Sequence, residues 1–495
     1  MSYTGDQQEC LNAYIVTFNC ARNLIPQDHF AAHFFDVLPQ SRPAPEILVL
    51  SLQEVAPISY AFLGGSFLVP YLSAFQKAID VATANRWPAS ATTNDERQGG
   101  AGDIKYVNVI SHNCGFTALL VFVRADVAGN VAWADIAEVG VGIQDMGNKG
   151  AVGARLGYMT AAAASSDDTL DLTFVAAHIA PMEHAYERRN RDWRRIVEGL
   201  VFTKPGSGQA IEDEDEEDGD TTHLLSQAQG DSAQSGIFSP RSHLFFAGDL
   251  NYRTSDTSPA VTDRVRFPQP NAATNYVNHH SELFKKDQLT RELRAKKTLH
   301  GLSEAPITFP PTYKYSDEAQ KAASQVGAEG EGVQEHPGVW KWAKKRWPSW
   351  CDRILYLDLP SWMATRFESE GSSILVYGYN ALPLFPTSDH RPVALSVSVP
   401  LRPISPPPMH VAGSDDIRLQ PPFAIDSAWR IRRASARIKE IAVGGAVYLV
   451  MTWEGNGLLL ATVVGIFGGW VVLRSLLQGE LNTPEIGYYC RSGPK

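Results

Sequence analysis

The chain has 495 residues, of which 44% are hydrophobic, so it can bury a large core and is neither disordered nor fibrous. Its formal net charge of −10 argues against a general nucleic-acid binder, whose surface is usually basic. Five cysteines without paired spacing indicate neither a disulfide framework nor a zinc knuckle. The first twenty residues show no secretory signal. We therefore expect a reducing, cytosolic environment for the bulk of the protein.

In chain order, short apolar runs rich in β-branched and aromatic residues predict buried strands. Four of these runs lead into a polar residue, and these residues are Asn19, Glu54, His178 and Asp249. Further strands are predicted at 116–123, 353–357, 374–379 and 393–399, and a helix is predicted at 184–200. Strands mixed with helices, with both sheet faces apolar, predict an α/β layered fold.

Three segments lack the periodicity of packed elements. The polar stretches 205–240 and 316–337 are predicted to be disordered surface insertions. Seven prolines between residues 400 and 422 predict a semi-extended spacer, which we assign to a linker over 401–429.

Polar side chains at strand ends are held rigidly at the rim of a sheet, where they can act together. The residues in such places are Asn19, Glu54, His178, Asp249, Asn251, Asp389 and His390. Oxygen ligands of this kind suit Mg²⁺, and the lack of a Cys/His cluster disfavours zinc. No cysteine is followed by an arginine six positions later, as thiol phosphatases require, so the pattern favours metal catalysis.

The motifs at 246–253 (FAGDLNYR) and 348–355 (PSWCDRIL) resemble the inositol polyphosphate 5-phosphatase family, within the endonuclease/exonuclease/phosphatase superfamily. Shorter matching stretches lie at 147–150, 177–180, 311–315 and 388–392. The resemblance runs in order from residue 14 to residue 399. It implies an α/β fold, a four-layer α/β/β/α sandwich with two facing sheets, as a catalytic domain over 10–400.

The resemblance also implies a role for each candidate residue. Glu54 is implied as the principal Mg²⁺ ligand, with Asn19 and Asp389 nearby in direct or indirect contact with the metal. The implied catalytic residues are Asp249 as the base for the attacking water, Asn251 to hold that water or the phosphate, His178 and His390 to bind phosphoryl oxygens, and Asp352 to orient His390.

Substrate recognition is implied by residues outside this shared chemistry. Those matching positions for the inositol 4-phosphate are Tyr313, Lys314, Lys344 and Arg346, and those matching positions for the 1-phosphate are Asn148 and Lys149. Paired cations suit dianionic phosphates, and arginine adds a planar fork. The expected reaction is removal of the 5-phosphate of phosphatidylinositol 4,5-bisphosphate, with the 3,4,5-trisphosphate left open as a substrate.

Other functions remain open on this scaffold. A membrane-tethered nuclease or a sphingomyelinase-like phosphodiesterase has the same fold, but Lys314 and Arg346 argue against both. A non-catalytic phosphoinositide-binding scaffold would not need Glu54 or Asp249. No nucleic-acid partner is expected, and no protein partner is predictable.

The stretch 457–477 predicts a transmembrane tail anchor, because it is apolar and long enough to cross a bilayer. A basic juxtamembrane segment over 430–440 places the catalytic domain in the cytosol and should attract anionic lipid. The arrangement resembles small tail-anchored fungal phosphatases of the endoplasmic reticulum, which is the expected membrane. A hairpin that also uses 441–453 remains open. Nothing after residue 399 matches a catalytic motif, so catalysis is not expected to need this segment.

Overall fold

The computed structural model describes residues 10–88, 104–160, 169–202, 235–270, 272–273, 276–325, 338–364, 374–407, 416–480 and 493. The strands in these residues are β1 (Cys10–Asn19), β2 (Ile47–Gln53), β3 (Tyr106–Cys114), β4 (Thr117–Arg124), β5 (Val131–Gly140), β6 (Gly150–Met159), β7 (Thr169–His178), β8 (Ser242–Asp249), β9 (Leu302–Ser303), β10 (Asp352–Leu357), β11 (Leu375–Ala381) and β12 (Val393–Pro400).

The α-helices in the same residues are α1 (Gln27–His33), α2 (Ile58–Leu63), α3 (Val69–Arg86), α4 (Tyr186–Gly199), α5 (His280–Phe284), α6 (Gln288–Arg294), α7 (Asp317–Gln325), α8 (Ser361–Ala364), α9 (Trp429–Met451) and α10 (Trp453–Glu480). The strands form two mixed six-stranded sheets. The first has the order β11-β12-β1-β2-β4-β3, and the second has the order β5-β6-β7-β8-β10-β9.

The two sheets face each other and are covered on their outer sides by helices. Their shared core includes Val49 and Leu395 from the first sheet and Phe174 and Phe245 from the second. Helices α1 and α3 cover the outer face of the first sheet, and α4 covers the outer face of the second. The predicted four-layer α/β/β/α sandwich is therefore confirmed, as are the predicted strands and the helix α4.

The strand register brings the predicted polar residues to one rim of the sandwich. In the second sheet, parallel pairing of β7 with β8 places His178 beside Asp249. Antiparallel pairing of β10 with β8 places Asp352 on the other side of Asp249. In the first sheet, parallel pairing of β1 with β2 places Asn19 beside Gln53, the residue before Glu54. Side chains far apart in the chain therefore converge.

Of the predicted insertion 205–240, residues 205–234 lie outside the described residues, as do residues 203–204. The backbone on either side of that gap is paired, because the Phe202 N–H donates a hydrogen bond to the Ser235 carbonyl at 2.8 Å. The remaining residues up to 240 include the buried side chains of Ile237 and Phe238. The two residues that flank the gap, Phe202 and Ser235, therefore lie next to each other in the fold.

The prediction of disorder over 316–337 is wrong for its first part, where α7 forms. Ala319 and Ala323 are one helical turn apart and both are fully buried, so a small apolar stripe docks this polar helix on the core. Residues 326–337 lie outside the described residues.

The segment after β12 lies against the domain instead of forming a free spacer. Ile404 is buried with Trp362 and Met363, and the Phe423 ring lies 5.6 Å from the His300 ring. Residues 408–415 lie outside the described residues. Prolines keep the described parts of this segment extended, but the apolar side chains between the prolines still pack on the side of the second sheet.

One helix in the described part of the chain, α10, is long and apolar enough to cross a membrane. The candidate span is Trp453–Leu477, with a mean hydropathy of 1.9 and none of its most apolar part buried. This supports the predicted anchor by length and composition. The predicted lipid-facing basic segment is only partly available, because Arg433 donates to Glu138 at 2.6 Å and Arg437 donates to the Phe62 carbonyl at 2.5 Å.

Arg353 of β10 lies buried between two acidic residues and ties the strand to its neighbours. Its guanidinium contacts Asp287 at 3.1 Å and Glu304 at 2.6 Å. Arg353→Met should lower the free energy of unfolding by about 3–5 kcal/mol, because two carboxylates lose their partner. Chemical denaturation of the protein in detergent measures this change.

The matched control is Arg194→Met. Arg194 is largely exposed and pairs with Glu198 at 2.7 Å within α4. Such an exposed pair contributes about 0.3–0.5 kcal/mol. Equal losses in the two variants would show that the buried pairs of Arg353 do not stabilise the fold.

Candidate active site

Asp249 is the last residue of β8 and lies at the centre of the site. Its Oδ2 accepts a hydrogen bond from Asn19 Nδ2 at 2.9 Å and lies 3.3 Å from His178 Nε2. His390 Nε2 lies 3.9 Å from the same oxygen. Burial alone would raise the pKa of the Asp249 carboxyl, but His390, His178 and Lys149 outweigh burial and lower it. The carboxylate is therefore ionised at neutral pH and can accept a proton.

His390 is held from behind by Asp352. Its Nδ1 lies 2.9 Å from Asp352 Oδ2, which also accepts a hydrogen bond from Thr312 Oγ1 at 2.7 Å. Burial lowers the pKa of His390, but the charges of Asp352 and Asp249 raise it to about 9. The ring is therefore an imidazolium at neutral pH, with Nε2 directed toward Asp249 and available to an anion. This is the geometry expected for a carboxylate that orients His390.

Lys149 lies against the second histidine. Its Nζ contacts the imidazole of His178, from whose Nδ1 it is 3.4 Å away. Burial lowers the pKa of His178, and the adjacent ammonium lowers it further, so this ring is neutral. Burial also lowers the pKa of Lys149, whereas the charges of Asp249 and Glu54 raise it. Lys149 therefore lies beside His178, in the group of residues around Asp249.

Glu54 and Asn251 have unusual backbone conformations. Their φ angles are 47° and 56°, in the left-handed region that costs about 1–3 kcal/mol for residues other than glycine. Both follow the end of a strand, so the turn directs their side chains toward the rim. Asn251 N–H donates to Asp249 Oδ1 at 3.1 Å, and Glu54 contacts the exposed Arg22 at 3.0 Å.

Asp389 and Lys314 join the site from the loop before β12 and the segment after α6. The Lys314 ammonium forms an ion pair with Asp389 Oδ2, and Asp389 Oδ1 lies 3.9 Å from His390 Nε2. The Tyr313 ring lies 4.5 Å from the His390 ring. The predicted pair Tyr313 and Lys314 therefore borders His390.

The remaining predicted substrate residues lie farther out. Lys344 and Arg346 line a cleft of about 1200 Å³ that Tyr313 and Lys314 also line. Arg346 donates to the buried Glu183 at 2.9 Å. Asn148 is not among the residues that line this cleft, and its Oδ1 accepts a hydrogen bond from the Ile143 backbone N–H at 3.0 Å.

Two residues of the site were missed by sequence reasoning, although both lie inside the quoted motifs. Thr312 bonds Asp352, as described above. Arg253 is buried, with its guanidinium 4.2 Å from the Tyr313 ring centre and its Nε donating to the Asn251 carbonyl at 3.0 Å. Arg253 therefore supports Asn251, which bonds Asp249, and Tyr313, whose ring contacts His390. The sequence signal that could have identified Arg253 was its position at the end of the 246–253 motif.

The donor chemistry of the rim fits a hard divalent cation. Glu54 and Asn19 each present a side-chain oxygen there, and the Asn19 oxygen also accepts the Ala21 N–H at 3.0 Å. Asp249, Asp352 and His390 also have potential ligand atoms within 4.8 Å of one another. Because Asp352 and His390 already bond each other, Glu54 and Asn19 fit the cation better than this second cluster does.

Comparison with known proteins places this geometry in context. The family model described as endonuclease/exonuclease/phosphatase family 2 matches residues 16–396. The chain is 28% identical over 362 residues to type II inositol polyphosphate 5-phosphatase 14 of Arabidopsis thaliana, covering 70% of this chain and 27% of the relative. It is 28% identical over 350 residues to the polyphosphatidylinositol phosphatase INP53 of Saccharomyces cerevisiae, covering 70% and 23%.

The chain thus spans about a quarter of the length of these curated relatives. Among solved structures, it resembles the inositol polyphosphate 5-phosphatase domain of SPsynaptojanin in complex with inositol (1,4)-bisphosphate and a calcium ion. The TM-score is 0.50 at 20% identity, with 87% of this chain and 90% of that chain covered. This likeness supports the fold.

The contact between His390 and Asp352 gives a test that does not depend on activity. Asp352→Asn should lower the pKa of His390 from about 9 toward the ordinary value of 6.5, because the imidazolium loses its closest negative charge. NMR titration of the histidine side chains in metal-free buffer measures this pKa. His112, which pairs with Glu138, serves as the internal control, and its titration should not change. An unchanged pKa for His390 would contradict the assigned contact.

Proposed function

We propose a function for this chain, which belongs to the endonuclease/exonuclease/phosphatase family and, within it, to the inositol polyphosphate 5-phosphatases. It removes the 5-phosphate of phosphatidylinositol 4,5-bisphosphate, with Mg²⁺, at the cytosolic face of a membrane. The observation that carries this proposal is the buried Asp249 carboxylate, which lies between two imidazoles, one of which contacts Tyr313 of a basic cleft.

The residues around Asp249 divide the work of phosphate hydrolysis. Asp249 accepts a proton from the attacking water, and Asn251 holds that water or the phosphate. The His390 imidazolium and the His178 ring bind phosphoryl oxygens, with Lys149 adding a cation beside His178. Because phosphoryl transfer needs little covalent help, fixed charges and positioning supply most of the acceleration.

Mg²⁺ would be held by Glu54, with Asn19 and Asp389 near it, and would neutralise charge on the phosphate and on the departing inositol oxygen. Oxygen donors at the rim support this choice of ion. The Asn19 amide nitrogen also donates to Asp249, so Asn19 connects the metal ligand set to the base.

The cleft beside His390 supports a substrate with a second phosphate next to the scissile one. Lys314 lies one residue from Tyr313, whose ring contacts His390, and Lys344 and Arg346 extend the basic wall outward. A 4-phosphate adjacent to the reacting 5-phosphate would meet Lys314 first. The relative named polyphosphatidylinositol phosphatase and the structure holding inositol (1,4)-bisphosphate agree with this substrate class.

The apolar helix α10 supports a lipid substrate over a soluble one, because it would keep the enzyme at its substrate. The resemblance to small tail-anchored fungal phosphatases is what supports the endoplasmic reticulum as the membrane. A cytosolic catalytic domain follows from the cations on α9 that remain exposed, such as Arg430 and Arg432.

Phosphate release from vesicles of phosphatidylinositol 4,5-bisphosphate, measured over a range of Mg²⁺ concentrations, tests the reaction. Asp249→Asn should remove nearly all turnover at every concentration, because an amide cannot accept the water proton. Glu54→Gln should instead shift the Mg²⁺ requirement upward. Near wild-type release by Asp249→Asn would show that another residue is the base. Wild-type release without Mg²⁺ would contradict the metal assignment.

Lys314→Ala should reduce turnover of phosphatidylinositol 4,5-bisphosphate far more than that of phosphatidylinositol 5-phosphate. Loss of a charge-assisted contact costs about 1.5–3 kcal/mol, or roughly 10- to 150-fold in kcat/KM. The matched control is Lys341→Ala, because Lys341 lines the same cleft but pairs with the exposed Glu318 at 3.1 Å, whereas Lys314 pairs with Asp389 next to His390. Lys341→Ala should affect both lipids equally and slightly. An equal loss on both lipids for Lys314→Ala would point to general electrostatics.

A further inference from the structure

Helix α9, which precedes the candidate membrane span, contacts two parts of the chain that lie close in sequence to site residues, the helix α2 and the β5–β6 hairpin. Its Arg437 donates hydrogen bonds to the carbonyls of Phe62 and Leu63 at 2.5 and 2.9 Å. These carbonyls belong to α2, which begins four residues after Glu54. On its other side, α9 contacts the hairpin between β5 and β6 through Glu440.

Glu440 is a fully buried carboxylate that joins three parts of the chain. Its Oε1 accepts the backbone N–H of Gly147 at 2.7 Å and also Arg433 Nη1 at 2.6 Å. Arg433 in turn contacts Glu138 of β5 at 2.6 Å. A buried charge with complete partners is specific in its geometry, and the loss of one partner leaves the others unpaired.

A series of backbone hydrogen bonds connects Glu440 to the residue after Glu54. Gly147 N–H donates to Glu440, and Phe116 N–H donates to the Gly147 carbonyl at 2.9 Å. Val55 N–H then donates to the Phe116 carbonyl at 3.3 Å. The segment that carries Glu54 and the hairpin that carries Lys149 are therefore linked through one turn, and Glu440 terminates the series.

The hairpin has little room to move while α9 is in place. Gly147 lies so close to the turn between β3 and β4 that a β-carbon on Gly115 would be 2.3 Å from the Gly147 oxygen. One side of the hairpin tip thus rests on backbone, and the other side is held by Glu440. Asn148 and Lys149 follow directly.

We propose that α9 is a positioning element of the active site, in which Glu440 fixes the hairpin that carries Lys149. This inference rests on the proposed function and extends it. It also revises the expectation that the C-terminal segment is dispensable for catalysis. Only Thr452, which has an extended backbone, separates α9 from α10, so the helix that would lie in the membrane directly follows the helix that contacts α2 and the β5–β6 hairpin.

The test uses the full chain in detergent micelles with soluble inositol 1,4,5-trisphosphate, so that membrane attachment does not contribute. Glu440→Ala should lower kcat about 10- to 100-fold, the usual effect of losing a supporting partner. Amide hydrogen exchange should rise in peptides covering 140–150. The matched control, Glu454→Ala, replaces an exposed glutamate at the start of α10 and should change neither quantity.

Glu440→Gln separates positioning from stability. Glutamine keeps an oxygen for the Gly147 N–H but loses the negative charge that faces Arg433 and Arg437. Both variants should therefore lower the melting temperature, whereas only Glu440→Ala should lose activity. If Glu440→Gln and Glu440→Ala lost activity equally, or if Glu440→Ala kept the wild-type kcat, the proposal would be overturned.

Two further outcomes keep this proposal distinct from the proposed function. If the wild type released no phosphate, the proposed function would fail, yet hydrogen exchange of 140–150 would still decide the role of Glu440. If Glu440→Ala did not fold, Arg437→Ala would replace it, because Arg437 is partly exposed. That variant should raise exchange in 55–64 and lower kcat, and unchanged values would refute the role of α9.

Discussion

Ionisation of a carboxylate that is buried away from water is the constraint on which this site depends. Asp249 remains charged because His178, Lys149 and His390 compensate for lost solvation. These partners do not come from one part of the fold. His178 and Asp249 end neighbouring strands of the second sheet, whereas Asn19 ends a strand of the first. The hydrogen bond from Asn19 to Asp249 therefore forms only when the two sheets are stacked, and catalytic geometry follows from correct folding of the whole sandwich.

Much of the fold was predictable where apolar runs ended in unexpected polar residues. The strands β3, β5, β6 and β9 were not predicted, and β6 shows why. It contains Gly150, Gly153 and Gly157, residues that weaken any strand prediction. Gly157 lies so close to Trp133 that a β-carbon would be 2.2 Å from the indole nitrogen. The glycine is explained by a side chain on another strand, which no local pattern contains.

The same distinction, between local sequence patterns and contacts of distant residues, applies to the active site. The pair of His390 and Asp352 was predictable because both residues lie in motifs with known relatives. The contacts of α9 were not predictable, since Glu440 and Gly147 are 293 positions apart in the chain. A cluster of arginines looks alike in sequence whether it faces lipid or carboxylate, and only the fold shows that Arg433 faces Glu138. Lys149 was found by its motif, but its contact with His178 could not be predicted, because that contact depends on the β6–β7 register.

The pairing of Phe202 with Ser235 has a practical consequence. These residues are hydrogen-bonded, and β8 begins soon afterwards at the end of the strand opposite Asp249. The segment between these two residues therefore begins and ends at one fixed point of the fold. Each doubling of the length of such a connection raises the entropic cost of closing the loop by only about 0.6 kcal/mol. Evolution can therefore lengthen this connection, and a fluorescent domain can be inserted into it, without altering the catalytic rim.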